Sequence, residues 1–483
     1  MIKKYNEELN KNIINIPLET TEVEEHWNHL KNGIMKSAID SLGYVQQMER
    51  NHWFNDECKK AIQERNNAHR DFIDRPTRQR EEFFKEKRRE ANKIIRKEKR
   101  TVLNNYFSQM NDNFNDNNMS DAYRFVKNFK EDFKARIFSC RDENGTILNN
   151  TEDVKNRWTE YFSTLLYVEE QNNGEREVID LRSTGDELIK EESLIPNEID
   201  MDIAIMKQKN NKAPGIDDIS VELIKAGNAH FKKQLFNLIS NIWRNEQMPK
   251  DWKYNILCPV YKNKGDKLCC QNYRGISLLC TGYKIFTTIL KRKLEPYSEN
   301  IIGKYQTGFR KGKSTIDQLF TVKLILEKFW EYKINVHQLF IDFKQAYDNV
   351  NREKLYDIML SFGIPKKLIR LTKVTMDDSA SQIKLNTEIT QPILVNKGLK
   401  QGDGLAPLLF NMVLEYVIRK LSIDTEGTLI YKSIQIVAYA DDVNIMARNY
   451  QDLKQTFNLL EQAAREVGLL VNNSKTKLLT QSR

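Results

Sequence analysis

The sequence predicts an α/β chain, with a mixed helix-and-sheet C-terminal part behind an α-helical N-terminal region. Three stretches carry that expectation. In Ser433-Ile-Gln-Ile-Val-Ala-Tyr439-Ala440-Asp441-Asp442-Val443-Asn-Ile-Met446, apolar and β-branched residues run up to two adjacent carboxylates and resume directly after them. That is the pattern of a β-hairpin with the acids at its turn. In Gln338-Leu-Phe-Ile-Asp342 an apolar run again ends on an aspartate. Helical spacing follows in Lys354-Leu-Tyr-Asp-Ile-Met-Leu-Ser-Phe362, and Gly363 and Pro365 stop it. Residues 1–200, by contrast, are charged, glycine-poor and helix-prone.

Composition sets the bounds. The 483 residues are 40% apolar, enough for two or three domains with cores of their own. Lys+Arg 76 against Asp+Glu 67 leaves a net charge of +9, which suits a polyanionic partner. Cys58, Cys140, Cys258, Cys269, Cys270 and Cys280 form no paired CxxC units, so reduced structural thiols in an intracellular protein are expected. His26-Trp-Asn-His29 has helical spacing but lacks partners to complete a metal site. No run of 18 apolar residues exists, and no membrane span is expected.

Along the N-terminal region, Glu22 to Ile39 shows helical apolar spacing, and Trp53-Phe-Asn-Asp-Glu-Cys58 opens a second helix with acids in its first turn. From Lys59 to Arg100 bases outnumber acids two to one. An RNA-gripping helical hairpin and a solvated helix face laced with i,i+4 pairs are both open readings. Asp142-Glu-Asn-Gly145 is a turn, Trp158 to Leu166 an apolar helix end, and Gln171 to Glu192 a polar linker. Pro214-Gly215 leads into a helix, Val221-Glu-Leu-Ile-Lys-Ala226, with Ser220 as N-cap and Asp217-Asp218 as capping rather than metal-binding acids.

Two like charges side by side on a buried hairpin are costly unless a cation compensates. Mg²⁺ takes hard carboxylate oxygens together with substrate phosphates. Asp342 beside the Asp441–Asp442 pair could form a two-metal site for in-line phosphoryl displacement. Adjacent strand residues point to opposite faces, so Asp342 and Asp441 are the expected principal ligands and Asp442 a secondary one. The other pair, Asp377-Asp378, lacks flanking strands and reads as a plain turn.

Tyr439-Ala-Asp-Asp442, with Phe340-Ile-Asp-Phe343 upstream and Gly398-Leu-Lys-Gln-Gly402-Asp-Gly-Leu-Ala-Pro-Leu-Leu-Phe410 between, resembles the reverse transcriptases of non-LTR retrotransposons of the LINE type, jockey- and RTE-like. The resemblance implies the fingers and palm of a right-hand polymerase. Its reaction would be RNA-directed addition of dNTPs to a primer 3′-hydroxyl with two Mg²⁺ ions, Mn²⁺ being an alternative. Partners would be an RNA template and a DNA primer, in a cytoplasmic ribonucleoprotein and the nucleus. The implied organisation is a helical basic region over 1–200, an extension over 201–240 that touches template RNA, and the polymerase over 241–483.

Residue by residue, the resemblance puts Lys262 and Arg274 on the incoming triphosphate, a compact ammonium beside a forked guanidinium. Tyr347 would stack under the deoxyribose, and Gln401 and Gly402 would contact nucleotide and template. Phe343 would add a backbone carbonyl to the metal ligands. Arg310 and Lys313, in Tyr305-Gln306-Thr-Gly-Phe309-Arg310-Lys-Gly-Lys313, are candidate template contacts. Lys475 is a candidate general acid for pyrophosphate departure. The chain departs from the commoner Gln-Gly-Cys-Pro-Leu-Ser-Pro by reading Gln401-Gly-Asp-Gly-Leu-Ala-Pro407, and Asp403 is expected to face away. A Trp-Phe-x-x-Glu-Cys segment follows an endonuclease in that family, and the polymerase continues into a primer grip and thumb. Neither flank is evident, so a chain truncated at both ends is expected. A catalytically inactive nucleic-acid-binding fragment and, behind it, an RNA-dependent RNA polymerase are the rival readings.

Overall fold

The computed structural model describes residues 1–13, 22–43, 54–115, 139–168, 181, 191–386, 388–423 and 433–482. Trp53 and most of the expected 171–192 linker fall outside them. The chain forms two compact units, one of Met1–Leu42 with Ile137–Arg483 and the other of Gly43–Arg136. Among the described residues no helix is long and apolar enough to cross a membrane.

The smaller unit is a hairpin of helices Asp56–Asp74 and Arg78–Asn115, broken between them at Pro76. Asn55 caps the first helix by accepting the Cys58 N–H. Cross-helix bonds run antiparallel, Arg80 to the Asp71 carbonyl and Lys87 to Glu64. On the outer face of the second helix Arg89, Lys93, Arg96 and Arg100 recur at helical spacing, all exposed. Ion pairs fall elsewhere, on Arg78–Glu82, Lys85–Glu81 and Lys87–Glu90. Among the described residues those four cations are outside them.

In the larger unit the first two helices, Ile2–Ile13 and Val23–Leu42, bury Tyr5, Leu9 and Ile13 and then Trp27, Leu30 and Ile34 at i, i+3/i+4 spacing. Those stripes enter the same core as Leu235, Trp243 and Trp252. Trp27 meets Trp252 edge-on at 5.2 Å and donates its indole N–H to Asp251 at 3.1 Å. Lys31 pairs with the same carboxylate at 2.6 Å. The first two helices thus belong to the larger unit, where their apolar faces are buried.

Eleven strands are described in the larger unit. β1 (Cys140–Arg141) and β2 (Ile147–Leu148) flank the Asp142–Gly145 turn. β3 (Tyr254–Tyr261) and β4 (Tyr273–Leu278) form the expected hairpin. β5 (Val336–Ile341) is the strand that leads to Asp342. β6 (Ser379–Leu385), β7 (Glu388–Ile389) and β8 (Ile393–Val395) follow, then β9 (Ile434–Tyr439), β10 (Asp442–Ala447) and β11 (Lys477–Gln481). One sheet runs β4-β3-β6-β7 with β8 also on β6, and β3 pairs parallel with β6. Helix Thr151–Leu166 covers it, packing Trp158 and Phe162 with Leu257, Tyr273 and Ile383.

The second sheet runs β11-β5-β10-β9, all antiparallel. Along β9 and β10, alternate residues are buried on opposite faces of the sheet. Ile436, Ala438, Val443 and Ile445 join the main core with helices Ala406–Lys420 and Tyr450–Glu466. Val437 and Met446 point the other way, onto Ile325 and Phe329 of helix Thr315–Glu331. Asp377-Asp378 is a turn, with Asp378 at φ 49° and paired to Lys253 at 2.8 Å. Ahead of helix Val221–Ala226, Ser220 stands at the expected N-cap, but the expectation that Asp217 caps the helix is corrected. Ser220 takes the cap position without a capping bond, and Asp217 accepts the Ile219 N–H before the helix begins. Burial pushes the Asp217 carboxyl up to about 6.

Trp27 is fully buried between the first helices and the Trp252 ring. Trp27→Ala should lower unfolding stability by about 3–5 kcal/mol, read from urea denaturation of the whole chain. A loss under about 1 kcal/mol would mean the N-terminal helices are only loosely attached.

Candidate active site

Tyr439 pairs with Asp442, which leaves Ala440 and Asp441 as a two-residue turn between β9 and β10. Ala440 sits at φ 53°, a left-handed conformation that a Cβ disfavours. A second segment holds it there. Gln306 is buried, donates through Nε2 to the Ala440 carbonyl at 3.1 Å, and accepts the Ala440 N–H on Oε1 at 2.8 Å. The Thr307 N–H donates to the Ala438 carbonyl, and the Ala438 N–H donates to the Tyr305 carbonyl. Gly308 lies so close that a Cβ there would stand 2.1 Å from the Ala440 nitrogen.

This reassigns part of the segment expected on the template. Arg310 is not free to grip a phosphate. Its guanidinium donates to the carbonyls of Ile302, Gly303 and Gln306 and pairs with Glu299 at 2.6 Å. It braces the loop that braces the hairpin. Lys313 is exposed on the same loop.

A cavity of about 460 Å³ opens beside the hairpin. Asp342 and Asp441 stand on its wall with Lys262, Arg274, Tyr347 and Gln401; Phe343, Gly402 and Lys475 also reach it. Asp442 does not. It is exposed and lines a neighbouring recess with Asp342, Lys264 and Lys475. The alternation of side chains at the start of β10 separates the two acids.

Burial, and then the charges of Asp442 and Asp342, push the Asp441 carboxyl up. Burial and Asp342 do the same to Asp442. Excess negative charge is therefore concentrated here. Asp342 Oδ2 accepts from Asn472 Nδ2 at 2.9 Å and lies 3.4 Å from Lys475 Nζ. Backbone bonds bracket Phe343, from Asn472 N–H to the Asp342 carbonyl and from Lys344 N–H to the Leu470 carbonyl. In an antiparallel pair that bracketing turns the Phe343 carbonyl to the opposite side, toward the β10 hairpin. Among the described residues no group of three His, Cys, Asp or Glu side chains is already drawn together for a metal. The donor chemistry fits a hard divalent cation all the same: mutually repelling carboxylates and an outward carbonyl.

Cations line the same cavity. Lys262 follows β3, is half-buried, and donates to the Gln271 carbonyl at 2.8 Å. Burial, then the charges of Lys475 and Arg274, pull its ammonium down. Three cations held this close favour an anion between them. Tyr347 stacks on Phe410 at 4.7 Å, and its hydroxyl is buried without a protein partner. Burial and the Asp441 charge raise that phenol. Gly402 takes φ 123°, and a Cβ there would meet the Ser277 carbonyl at 2.7 Å. The close approach that needs glycine is thus to strand β4. Asp403 is buried, accepting from the Tyr283 hydroxyl at 2.8 Å and the Leu405 N–H at 3.0 Å.

Three functional residues escape a reading of the sequence. Gln306 and Gly308 lie in a motif that reads as a nucleic-acid contact, and only the fold shows them on the hairpin. Asp348, which holds Gln401, follows Tyr347 in a short turn, Ala346–Asn349. No periodicity marks it.

Residues 261–483 match the family described as reverse transcriptase (RNA-dependent DNA polymerase). These residues form a reverse transcriptase domain. Transposable-element proteins are its relatives. A Xenopus laevis protein named transposon TX1 uncharacterized 149 kDa protein is 22% identical over 72% of this chain and 27% of its own length. Two Drosophila melanogaster proteins are named as probable RNA-directed DNA polymerases. That of transposon X-element is 26% identical over 56% of this chain and 30% of itself. That of transposon BS is 27% identical over 43% of this chain and 23% of itself. The chain therefore spans under a third of the length of these relatives. A solved Candida tropicalis apo telomerase covers 69% of this chain and 84% of its own, at 11% identity and a TM-score of 0.39.

The seat of the hairpin in this reverse transcriptase domain can be tested by stability alone. Gly308→Ala should destabilise the chain by about 1–3 kcal/mol, because the obstruction is backbone and cannot rotate away. Gly404→Ala has open space at its Cβ and should be near neutral. Equal urea midpoints for the two variants would show that Gly308 does not abut the hairpin.

Proposed function

We propose that this chain is an RNA-directed DNA polymerase of the non-LTR retrotransposon kind, adding dNTPs to a primer 3′-hydroxyl on an RNA template. What supports the reading is one cavity lined by the carboxylates of Asp342 and Asp441 and by three cations, Lys262, Arg274 and Lys475, the last of them beside Asp342. In that arrangement the triphosphate lies against Lys262 and Arg274, which neutralise its charge and hold its phosphorus in line for attack. Lys475 reaches the same space and is placed to deliver a proton to departing pyrophosphate. Asp342 and Asp441, with the Phe343 carbonyl, would hold divalent cations, and Asp442 contributes from the adjoining recess. When bound, those ions supply activation of the attacking hydroxyl and stabilisation of charge on phosphorus. Tyr347, fixed by its stack on Phe410, forms the floor under the sugar, where a 2′-hydroxyl would crowd the ring.

The partners follow from charge. An RNA template and a DNA primer are polyanions, and the exposed Arg89-Lys93-Arg96-Arg100 face of the helical hairpin offers phosphates a single-sign track. Glu90 nearby pairs with Lys87 and Glu98 accepts from Asn55, so neither is committed to that face. Lys313 remains a candidate template contact.

Primer extension on poly(rA)/oligo(dT) with Mg²⁺ or Mn²⁺ tests the reaction. Asp441→Ala should lower the rate by about 10³-fold or more, and Asp442→Ala by less, since its side chain faces the other recess. Extension that survives Asp441→Ala, or no extension by the unaltered chain, would sink the catalytic reading. The unaltered chain would then be a nucleic-acid-binding fragment if it still held primer–template.

Replacing Arg89, Lys93, Arg96 and Arg100 together with Gln should reduce the salt slope of single-stranded RNA binding by about 3. An unchanged slope would assign those cations to solvent.

A further inference from the structure

One contact at the cavity wall joins two segments distant in the chain. Gln401 Nε2 donates to both carboxylate oxygens of Asp348, at 2.8 and 2.9 Å. Asp348 is buried and Gln401 half-buried, and both line the cavity. The backbone of the 398–401 loop is held separately. The Gly398 N–H donates to the Val350 carbonyl at 2.9 Å, the Leu399 N–H to the Tyr347 carbonyl at 2.8 Å, and the Ser277 N–H to the Gln401 carbonyl at 2.7 Å. These bonds fix where Gln401 starts but leave open which end of its amide faces the cavity.

Asp348 decides the matter. An ionised carboxylate offers only acceptors, so the amide must turn its NH₂ toward it; flipped, it would set three oxygens against one another. Burial raises the Asp348 carboxyl to about 6, while the Gln401 bond and the ammonium groups of Lys262 and Lys397 favour its charged form. It therefore stays mainly ionised at neutral pH. Tyr161, whose hydroxyl accepts from Gln345, is the other titratable group that feels its charge. With the amide nitrogen turned to Asp348, Gln401 Oε1 is the end of the amide turned away from that carboxylate.

We propose that Asp348 is a positioning residue that holds Gln401 so that its amide oxygen, and not its nitrogen, faces the incoming deoxynucleotide. Gln401 then recognises a hydrogen-bond donor on that nucleotide. Asp348 itself touches no reacting atom. The inference rests on the reading of this cavity as the deoxynucleotide site.

Asp348→Asn keeps size and shape but supplies a donor, which lets the Gln401 amide turn over. The experiment measures dTTP kinetics on poly(rA)/oligo(dT) and, without turnover, the Kd of a fluorescent mant-dTTP for the protein–primer–template complex. Asp348→Asn should raise KM and Kd about tenfold with kcat changed less than about threefold, the loss of one well-placed hydrogen bond. Its unfolding midpoint should match that of the unaltered protein. Adding Gln401→Ala to Asp348→Asn should cost little more, because both act through one amide. Unchanged KM and Kd, multiplying effects in the double variant, or losses that track a lowered midpoint would each overturn the proposal. If the unaltered chain binds mant-dTTP, and Asp348→Asn weakens it, without any extension, the positioning role stands while the catalytic reading falls. If the unaltered chain binds no nucleotide, both fall.

Discussion

The site depends on a single neutral contact, the double hydrogen bond between Gln306 and the backbone of Ala440. A two-residue turn carrying two acids is an unstable object by itself. Its alanine is held at positive φ, and the carboxylates at its tip repel each other and Asp342. Gln306 counters the first problem by satisfying both polar groups of the strained residue at once, in a buried setting where losing either bond would be costly. Gly308 removes the steric obstacle to that embrace, and Arg310 fixes the loop from beneath. The carboxylates at the turn are then left free of that cohesive task.

The opposing wall follows the same rule. Tyr347 and Gln401 come from separate segments, yet backbone bonds from Gly398 and Leu399 to the 347–350 stretch zip them together. The Gly402 backbone approaches Ser277 of β4, which also carries Arg274. Two backbone seams therefore set the width of the cavity, one beside Asp441 and one beside Gln401. Side-chain charges project from seams already closed. Their unfavourable electrostatics, visible in the raised acids and the lowered Lys262, persist because the seams do not yield. Such a site is a strained pair of like-charged walls that a triphosphate and its cations would relax.

Much of this architecture was legible in the sequence, and the reason is periodicity. β9 and β10 lie within a residue or two of where alternation placed them, and β3, β4 and β5 likewise. Asp342, Asp441, Lys262, Arg274, Tyr347 and Gln401 were nameable because short local motifs carry them, and the fold brings these to one cavity, with Asp442 in the adjoining recess. What was not legible depends on long-range pairing. The stripe of Tyr5, Trp27 and Leu30 announces burial but not against what, so its union with Trp252 had to come from three dimensions. Arg310 looks like a phosphate contact by residue type. Whether a guanidinium meets phosphate or backbone carbonyls is decided by loop curvature, which leaves no pattern. Gln306 and Asp348 fail for the same reason, since a polar side chain that serves a distant backbone or amide resembles any other polar residue.

That division bears on how such a site tolerates change. Lys262 and Arg274 sit on flexible stems, and a displaced ammonium can still reach an anion over several ångströms with modest loss. Amide clamps and glycine contacts have no such latitude, because a hydrogen bond fades within fractions of an ångström and a Cβ at 2.1 Å cannot be accommodated. The residues most intolerant of substitution should therefore include uncharged ones that touch no substrate. Gln306 and Gly308 hold the Ala440–Asp441 turn, and Gly398 abuts the Asp348 carbonyl, where a Cβ would stand at 2.6 Å. In this chain the chemistry is carried by charges, and the precision is carried by neutral groups behind them.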